Sequence, residues 1–319
     1  MGKVVRGLDI FCGAGGSSAG ARAAGVTLTG AIDMCPIATA TYRDNFPDAL
    51  VLTDHLENVG LRKMRREVGP IDILLASPEC TNHTCAKGAG PRSETSRATA
   101  MRVIEYAKAF KPRWLVLENV VHMRPWSRYN ELKESLQDLG YHIAEQILDA
   151  SDYGVPQSRR RLFLVGDLEG EPGLVTQKRS GRRGAAKSIL DKRGTWTTTL
   201  LRSRNRAKDT LARAKRAIAE LGEETAFLIV YYGSDGSGGW QPLTRPLRTI
   251  TTIDRFALVE PTDEGFDMRM LQVPELKRAM GLCENFIMSH GSRRDRIRLL
   301  GNGVCPPVME RVVRNLIEA

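Results

Sequence analysis

The chain lacks any run of about 18 apolar residues, so no segment reads as a membrane-spanning helix. Met1 to Phe11 holds one short apolar run and no small-residue cleavage site, so a secretory leader is not expected from this stretch. Cysteine is scarce. Six residues, at 12, 35, 80, 85, 283 and 305, are too scattered for a disulfide scaffold and point to a reduced, intracellular protein. No internal repeat is found. Acidic residues are outnumbered, 37 against 47 Lys and Arg, and the resulting net charge of +10 suggests a polyanionic partner. The 319 residues are enough for about two domains and for a sizeable core.

Short apolar runs alternate with helical patterns in the first half. The runs are Leu8 to Phe11, Thr27 to Ile32, Ile71 to Ala76, Trp114 to Leu117, Tyr141 to Leu148 and Leu162 to Val165. Between them lie helical stretches such as Arg97 to Phe110 and Asn130 to Leu139. This order predicts an α/β fold, Rossmann-like, with a mostly parallel sheet. The character changes after Asp167. Residues 178–216 carry fourteen Lys and Arg against two acids. A Gly/Ser stretch follows at 233–239, then a β-like run around Thr249 to Ile253. We expect a smaller, loop-rich domain over 168–267 and a return to the first domain over 268–319.

The first strand ends in Asp9-Ile10-Phe11-Cys12-Gly13-Ala14-Gly15-Gly16. Glycines there let the backbone turn tightly and approach a ligand, with helix N–H groups behind. No Lys-Ser/Thr follows at Walker spacing, which excludes a P-loop. By itself the turn is either a cofactor loop or an ordinary tight turn. Asp33 stands at the end of the second strand, where an acid can hold ribose hydroxyls. Asp54 is either an acceptor for an adenine amino group or a solvated strand-end acid.

Cys80 follows a buried strand in Ser77-Pro78-Glu79-Cys80, a position suited to nucleophilic work, although an isolated cysteine is more often a buried structural thiol. Cys80, His83 and Cys85 lack a fourth zinc ligand at typical spacing, and the zinc-deaminase pattern is only half echoed, so no metal is expected. Glu118 ends the strand at Trp114 to Leu117; apolar walls there would raise its pKa and suit a general acid. In Gln157-Ser158-Arg159-Arg160-Arg161, alternate residues share one face, so Arg159 and Arg161 point together, toward a bound anion or along a solvated edge.

In this order the pieces resemble the C5-cytosine methyltransferase family over nearly the whole chain. Asp9 to Gly16 looks like its S-adenosylmethionine loop, Pro78-Glu79-Cys80 its catalytic Pro-Cys loop, and Glu118-Asn119-Val120 its Glu-Asn-Val. Gln157 to Arg161 is similar to its Q-x-R-x-R motif. Arg269 to Gly281 and Gly301-Asn302-Gly303-Val304 look like its last two motifs.

The resemblance implies a DNA cytosine-C5 methyltransferase. Cys80 would attack C6 of a flipped cytosine, Glu118 would protonate N3, and Arg161 with Arg159 would hold the base carbonyl and a phosphate. It further implies S-adenosylmethionine held by Phe11, Gly13, Gly15, Asp33, Met34, Asp54 and Asn302. Residues 1–167 plus 268–319 would form the catalytic domain, and 168–267 the target-recognition domain. Gln157, Trp240, Arg248 and Thr249 are the candidates to touch DNA. Expected partners are double-stranded DNA and a cognate restriction endonuclease; the chain is expected to be monomeric and cytoplasmic. Two departures stand out: Glu79 replaces the usual Pro before the nucleophile, and Met34 replaces an aromatic over the adenine. A tRNA cytosine methyltransferase on the same fold is the nearest alternative, but its Cys-Phe-Thr signature is absent from 168–267. A catalytically dead binding protein is the third.

Overall fold

A computed structural model describes residues 4–79, 98–176, 184–232 and 238–319. Seven strands form the main sheet: β1 (Arg6–Ile10), β2 (Thr27–Asp33), β3 (Leu50–Thr53), β4 (Ile73–Ala76), β5 (Trp114–Asn119), β6 (His142–Asp149) and β7 (Arg160–Asp167). Their order is β3-β2-β1-β4-β5-β7-β6. Pairings from β3 through β5 are parallel, whereas β7 is antiparallel to both β5 and β6. The chain reverses its progress across the sheet between β1 and β4, and open α/β sheets bind ligands in the crevice at that point.

Strands of a sheet covered on both sides are apolar throughout, and β4, Ile-Leu-Leu-Ala, is wholly buried. Its side chains alternate between two cores. Ile73 and Leu75 join one with Val116, Phe163 and Val165; Leu74 and Ala76 join the other with Leu115, Leu117, Leu162 and Leu164. Helices α1 (Gly16–Ala23), α2 (Pro36–Asn45), α3 (Leu61–Val68), α4 (Arg102–Phe110) and α5 (Tyr129–Asp138) follow successive strands. Val103, Tyr106 and Phe110 of α4 and Leu132 and Leu136 of α5 fill the second core, as their helical spacing predicted.

A five-stranded antiparallel sheet follows in the order β10-β9-β11-β12-β8. It comprises β8 (Thr199–Leu200), β9 (Phe227–Val230), β10 (Trp240–Pro242), β11 (Phe256–Thr262) and β12 (Gly265–Met270). Helix α6 (Lys208–Leu221) begins in the basic run and covers one face, with Ala214 and Ala217 against Phe227, Ile229, Ala257 and Val259. The alternate residues Leu228, Val230, Phe256 and Leu258 belong to the same core as Val116 and Phe163 of the main sheet. The two sheets therefore share a core. Strand β12 runs three residues past the boundary expected at 267.

In the basic run Ala186 and Ile189 are buried in the shared core; 177–183 lie outside the described residues. One sequence expectation fails here. Thr249 to Ile253 is irregular rather than β-like. Its β-branched residues mimic a strand, but its backbone groups bond to side chains in place of a neighbouring strand.

Helices α7 (Val273–Ala279), α8 (Arg293–Asn302) and α9 (Pro306–Ile317) complete the chain. Arg269 at the end of β12 meets Glu275 of α7 through two bonds of 2.8 and 2.7 Å, both side chains buried. Glu275 also accepts from the N–H of Asp191 at 3.0 Å and of Gln272 at 2.7 Å, so no carboxylate oxygen is left bare. The run that leads into α9 packs on the start of α1 so closely that a Cβ on Gly16 would lie 2.4 Å from the Val304 carbonyl oxygen. Among the described residues no helix is long and apolar enough to cross a membrane.

Gly16→Ala should therefore destabilise the fold by about 1–3 kcal/mol, as overpacking does. Urea unfolding of the full chain measures it; an unchanged midpoint would mean that the contact of α1 with Val304 yields freely.

Candidate active site

Phe11, Asp33, Asp54 and Glu118 sit at the edge where the parallel strands end. The turn after β1 begins with Phe11 at φ +58°, a backbone conformation rare for a non-glycine residue. Gly13 follows at φ +53°, and the space where its Cβ would be is open. This is backbone shaped for close approach by a ligand. Asp33 at the end of β2 fixes the turn: its carboxylate accepts from the Gly13 N–H at 2.9 Å and from the Cys35 N–H at 2.8 Å. Burial raises the Asp33 pKa, and the two N–H bonds hold it back. Asp54 is brought beside Asp33 by a backbone bond of 3.2 Å between them. Its own carboxylate accepts from His55 N–H at 2.7 Å and Asn58 Nδ2 at 2.9 Å. Met34 stands 56% exposed at the same end. Gly15 caps α1, and Asn302 closes α8 close to Val304, which lies against Gly16. The structure thus gathers Phe11, Gly13, Gly15, Asp33, Met34 and Asp54 around one edge, with the Gly301 to Val304 run packed beside it.

Beneath this turn lies a group the sequence did not single out. Asp9 is fully buried, and the Ser18 hydroxyl donates to it at 2.6 Å. Ser18 also meets the Tyr42 hydroxyl at 2.6 Å. Burial drives the Asp9 pKa up to about 7, with the neighbouring Asp33 pushing the same way. Its other oxygen, Oδ1, has no hydrogen-bond partner.

The approach to Cys80 is held from two sides. Ser77 Oγ meets Ser17 Oγ of α1 at 3.0 Å, and the Pro78 carbonyl accepts from Asn119 Nδ2 at 3.1 Å. Cys80, His83 and Cys85 themselves lie outside the described residues. Asn119, Ser17 and Ser77 were missed as site residues. Asn119 adjoins Glu118 in the motif, but nothing in the sequence gives it a partner 41 residues away. Of the described cysteines, Cys12 and Cys305 are buried, and burial raises both thiols, Cys305 to about 11. Neither has the thiolate character of a nucleophile.

Glu118 is 5% exposed at the end of β5. Burial raises its pKa, and Arg161 and Arg159 pull it back. Arg161 Nε lies 3.2 Å from Glu118 Oε1, and this side chain is partly open to the edge. The pair forms because β7 is reversed, so its first residues reach the edge where β5 finishes. The result is a sheltered acid beside a cation, suited to holding and donating a proton next to a polar ring.

Arg159 departs from its expected role. It is 2% exposed, and its guanidinium donates to the carbonyls of Ile250 (3.0 Å), Gly301 (2.7 Å) and Gly303 (2.8 Å). Its fork is turned into the protein, away from any base or phosphate. Gln157 departs too. It is wholly buried, its amide spent on Ile250 N, Ala279 O and Met280 Sδ, so it has no surface with which to touch DNA. The Thr249 hydroxyl donates to Ser158 O at 2.9 Å. Trp240 and Arg248 border a cavity of about 460 Å³ with Arg245 and Glu220, lined by none of the catalytic candidates. Arg248 also donates to the Trp240 carbonyl at 3.1 Å.

Comparison with known proteins agrees with this arrangement. The family model described as C-5 cytosine-specific DNA methylase matches residues 5–318. Type II methyltransferase M.AgeI of Thalassovita gelatinovora is 34% identical over 189 residues, 54% of this chain and 43% of that protein. Type II methyltransferase M.XorII of Xanthomonas oryzae is 31% identical over 194 residues, 58% of this chain and 46% of that protein. The matched stretch thus spans about half the length of these relatives. The methyltransferase EhMeth of Entamoeba histolytica has the same fold, with TM-score 0.72 and 17% identity over 99% of both chains.

The Asp9 environment makes stability depend on pH. In an unfolded chain the carboxyl deprotonates near 3.8, whereas native Asp9 keeps its proton to about 7. Across that interval the native state binds more protons, so stability falls as pH rises. Asp9→Asn should remove that fall. Urea midpoints of the variant, relative to wild type, should climb between about pH 4 and about pH 7 and stay level above it. A difference independent of pH would refute the raised pKa.

Proposed function

The chain belongs to the C-5 cytosine-specific DNA methylases, and from that premise we propose that it methylates C5 of cytosine in double-stranded DNA, with S-adenosylmethionine as donor. The observation that carries the proposal is the pairing of buried Glu118 with Arg161, beside the Ser77–Pro78 turn that leads into Cys80.

The crevice suits the donor chemically. Gly13 leaves open space for a close approach, and each Asp33 oxygen keeps a second lone pair for a ribose hydroxyl. Asp54 adds an acceptor at the adenine end, and Met34 a soft apolar surface. Phe11, Gly15 and Asn302 would line the remainder. The donor, when bound, supplies a methyl group activated on sulfur.

The chain's own residues do the rest. Cytosine C5 is a poor nucleophile, and its edge is inaccessible in a stacked duplex, so the base must leave the helix. The Cys80 thiolate adds to C6 while Glu118 delivers its proton to N3, and the ring becomes an enamine with electron density at C5. C5 takes the methyl group. Loss of the C5 proton to water and return of the N3 proton to Glu118 restore the ring and expel Cys80. Arg161 holds Glu118 in place and faces the base carbonyl. Residues 1–167 plus 268–319 act as the catalytic domain and 168–267 as the target-recognition domain, with phosphates gripped by the basic run and by α6. The relatives' designation as Type II methyltransferases supports a cognate restriction endonuclease as the partner activity. We take the chain to act as a cytoplasmic monomer.

Incubation of the full chain with duplex DNA and donor, followed by nucleoside mass spectrometry, should reveal 5-methylcytosine. Cys80→Ala should abolish it, and Glu118→Gln should lower kcat by about 100-fold or more. Methyl transfer to tRNA in place of DNA, or none to cytosine in any duplex, would overturn the proposal. Arg161→Met should push the Glu118 pKa further up, because one of the two cations that hold it down is gone. The basic limb of the kcat–pH profile should then move to higher pH; a limb that stays fixed would remove Glu118 as the titrating acid.

A further inference from the structure

The run from Gln157 to Arg161 carries three side chains on one face, and Arg161 pairs with the acid at the end of β5. The other two face a single irregular segment, 247–252, by which the chain passes from β10 toward β11. Backbone bonds start the contact: Leu247 N–H donates to Pro156 O at 2.9 Å, and Ser158 N–H donates to Leu247 O at 2.8 Å. Gln157 then accepts from the Ile250 N–H at 2.9 Å and donates to Ala279 O of α7 at 3.0 Å. Arg159 takes the Ile250 carbonyl and, with its other nitrogen, the carbonyls of Gly301 and Gly303. Tyr232, just past β9, donates to the Thr249 carbonyl from the opposite side.

These bonds are built for position. A guanidinium presents its donors in a rigid fork, so three carbonyls from two distant segments are fixed relative to one plane. Gln157 and Arg159 are 0% and 2% exposed, so water does not compete for these bonds. The segment they hold links two strands of the second sheet, and the strand they precede presents Arg161.

We propose that Gln157 and Arg159 are positioning residues that fasten segment 247–252 to the strand bearing Arg161, so that a duplex held by the second sheet meets Glu118 and Arg161 in one fixed register. The second half of this proposal rests on the cytosine-methylation reading; the first half, the joint itself, does not. A joint of this kind raises kcat by orientation, and a misplacement of about 1 Å can cost up to about 100-fold in rate.

The test uses the full chain as Arg159→Lys, Arg159→Met and Gln157→Leu. Hydrogen exchange on the free protein should quicken about tenfold or more at Leu247 and Ile250 in Arg159→Met, as lost bonds to a charged group imply. On duplex substrate kcat should fall by about 10- to 100-fold while the KM for DNA and the donor affinity change less than about threefold. Arg159→Lys should recover part of both effects. Unaltered exchange in Arg159→Met overturns the joint. Quicker exchange with unchanged kcat overturns its positioning role. A loss of DNA affinity of about tenfold with kcat retained assigns Arg159 to phosphate binding instead and equally overturns it. Failure of the wild type to methylate any cytosine would sink the functional reading, and the exchange result would still stand on its own.

Discussion

The reversal of β7 is the constraint on which the site depends. Six of the seven strands of the main sheet run one way, and four of them deliver Phe11, Asp33, Ser77 and Glu118 to a single edge. A further parallel strand in that place would send its opening residues to the far side, about 25 Å away for eight residues at roughly 3.3 Å each. Because β7 runs against β5, Arg161 arrives opposite the acid instead. The same reversal puts Gln157 and Arg159 at this edge, where the second sheet comes down. One antiparallel pairing thus brings together the acid, its cation and the joint to the second sheet.

The second constraint is the shared core. Leu228, Val230, Phe256 and Leu258 leave the face of the second sheet to pack with Val116, Phe163 and Val165. Apolar burial fixes the two sheets together without specifying their register, since it is non-directional. Register comes from polar groups buried at the contact: Arg269 with Glu275, Arg278 with Asp191, Gln157 and Arg159 with backbone carbonyls and amides. Each costs desolvation, which the bonds it makes offset. Asp9 has one oxygen unmatched, and it meets that cost by holding its proton.

Much of the fold was legible in sequence. Runs such as Ile71 to Ala76 and Trp114 to Leu117 became strands because uninterrupted apolar runs are what a doubly covered sheet requires. The glycine turn and Asp33 were legible because a strand-end position with acids about 20 residues on has few other uses. Thr249 to Ile253 misled, since β-branched alternation is the same whether a strand or a set of side chains takes the backbone bonds. Arg159 and Gln157 misled for a related reason. Their shared face with Arg161 was correctly read from the period of a strand, but the period says nothing about what covers the face. Asn119 and Ser77 were invisible because their partners are set by strand order. Strand order is a long-range property that local patterns do not encode.

The contact between Gly16 and Val304 has a consequence in time. The two residues are 288 positions apart, and the loop that the first shapes has the second as its wall. Chains grow from the N-terminus at about 5–20 residues per second, and early segments fold as they emerge. Strands β1 to β5 can therefore pair while the rest is still being made, but the glycine turn has no floor until residues 304–309 leave the ribosome and dock on α1. Non-local closures of this kind are slow and come last. A nascent chain with its strands in place is thus still without a finished crevice, and synthesis itself delays the protein's chemistry until residues 304–309 have been added.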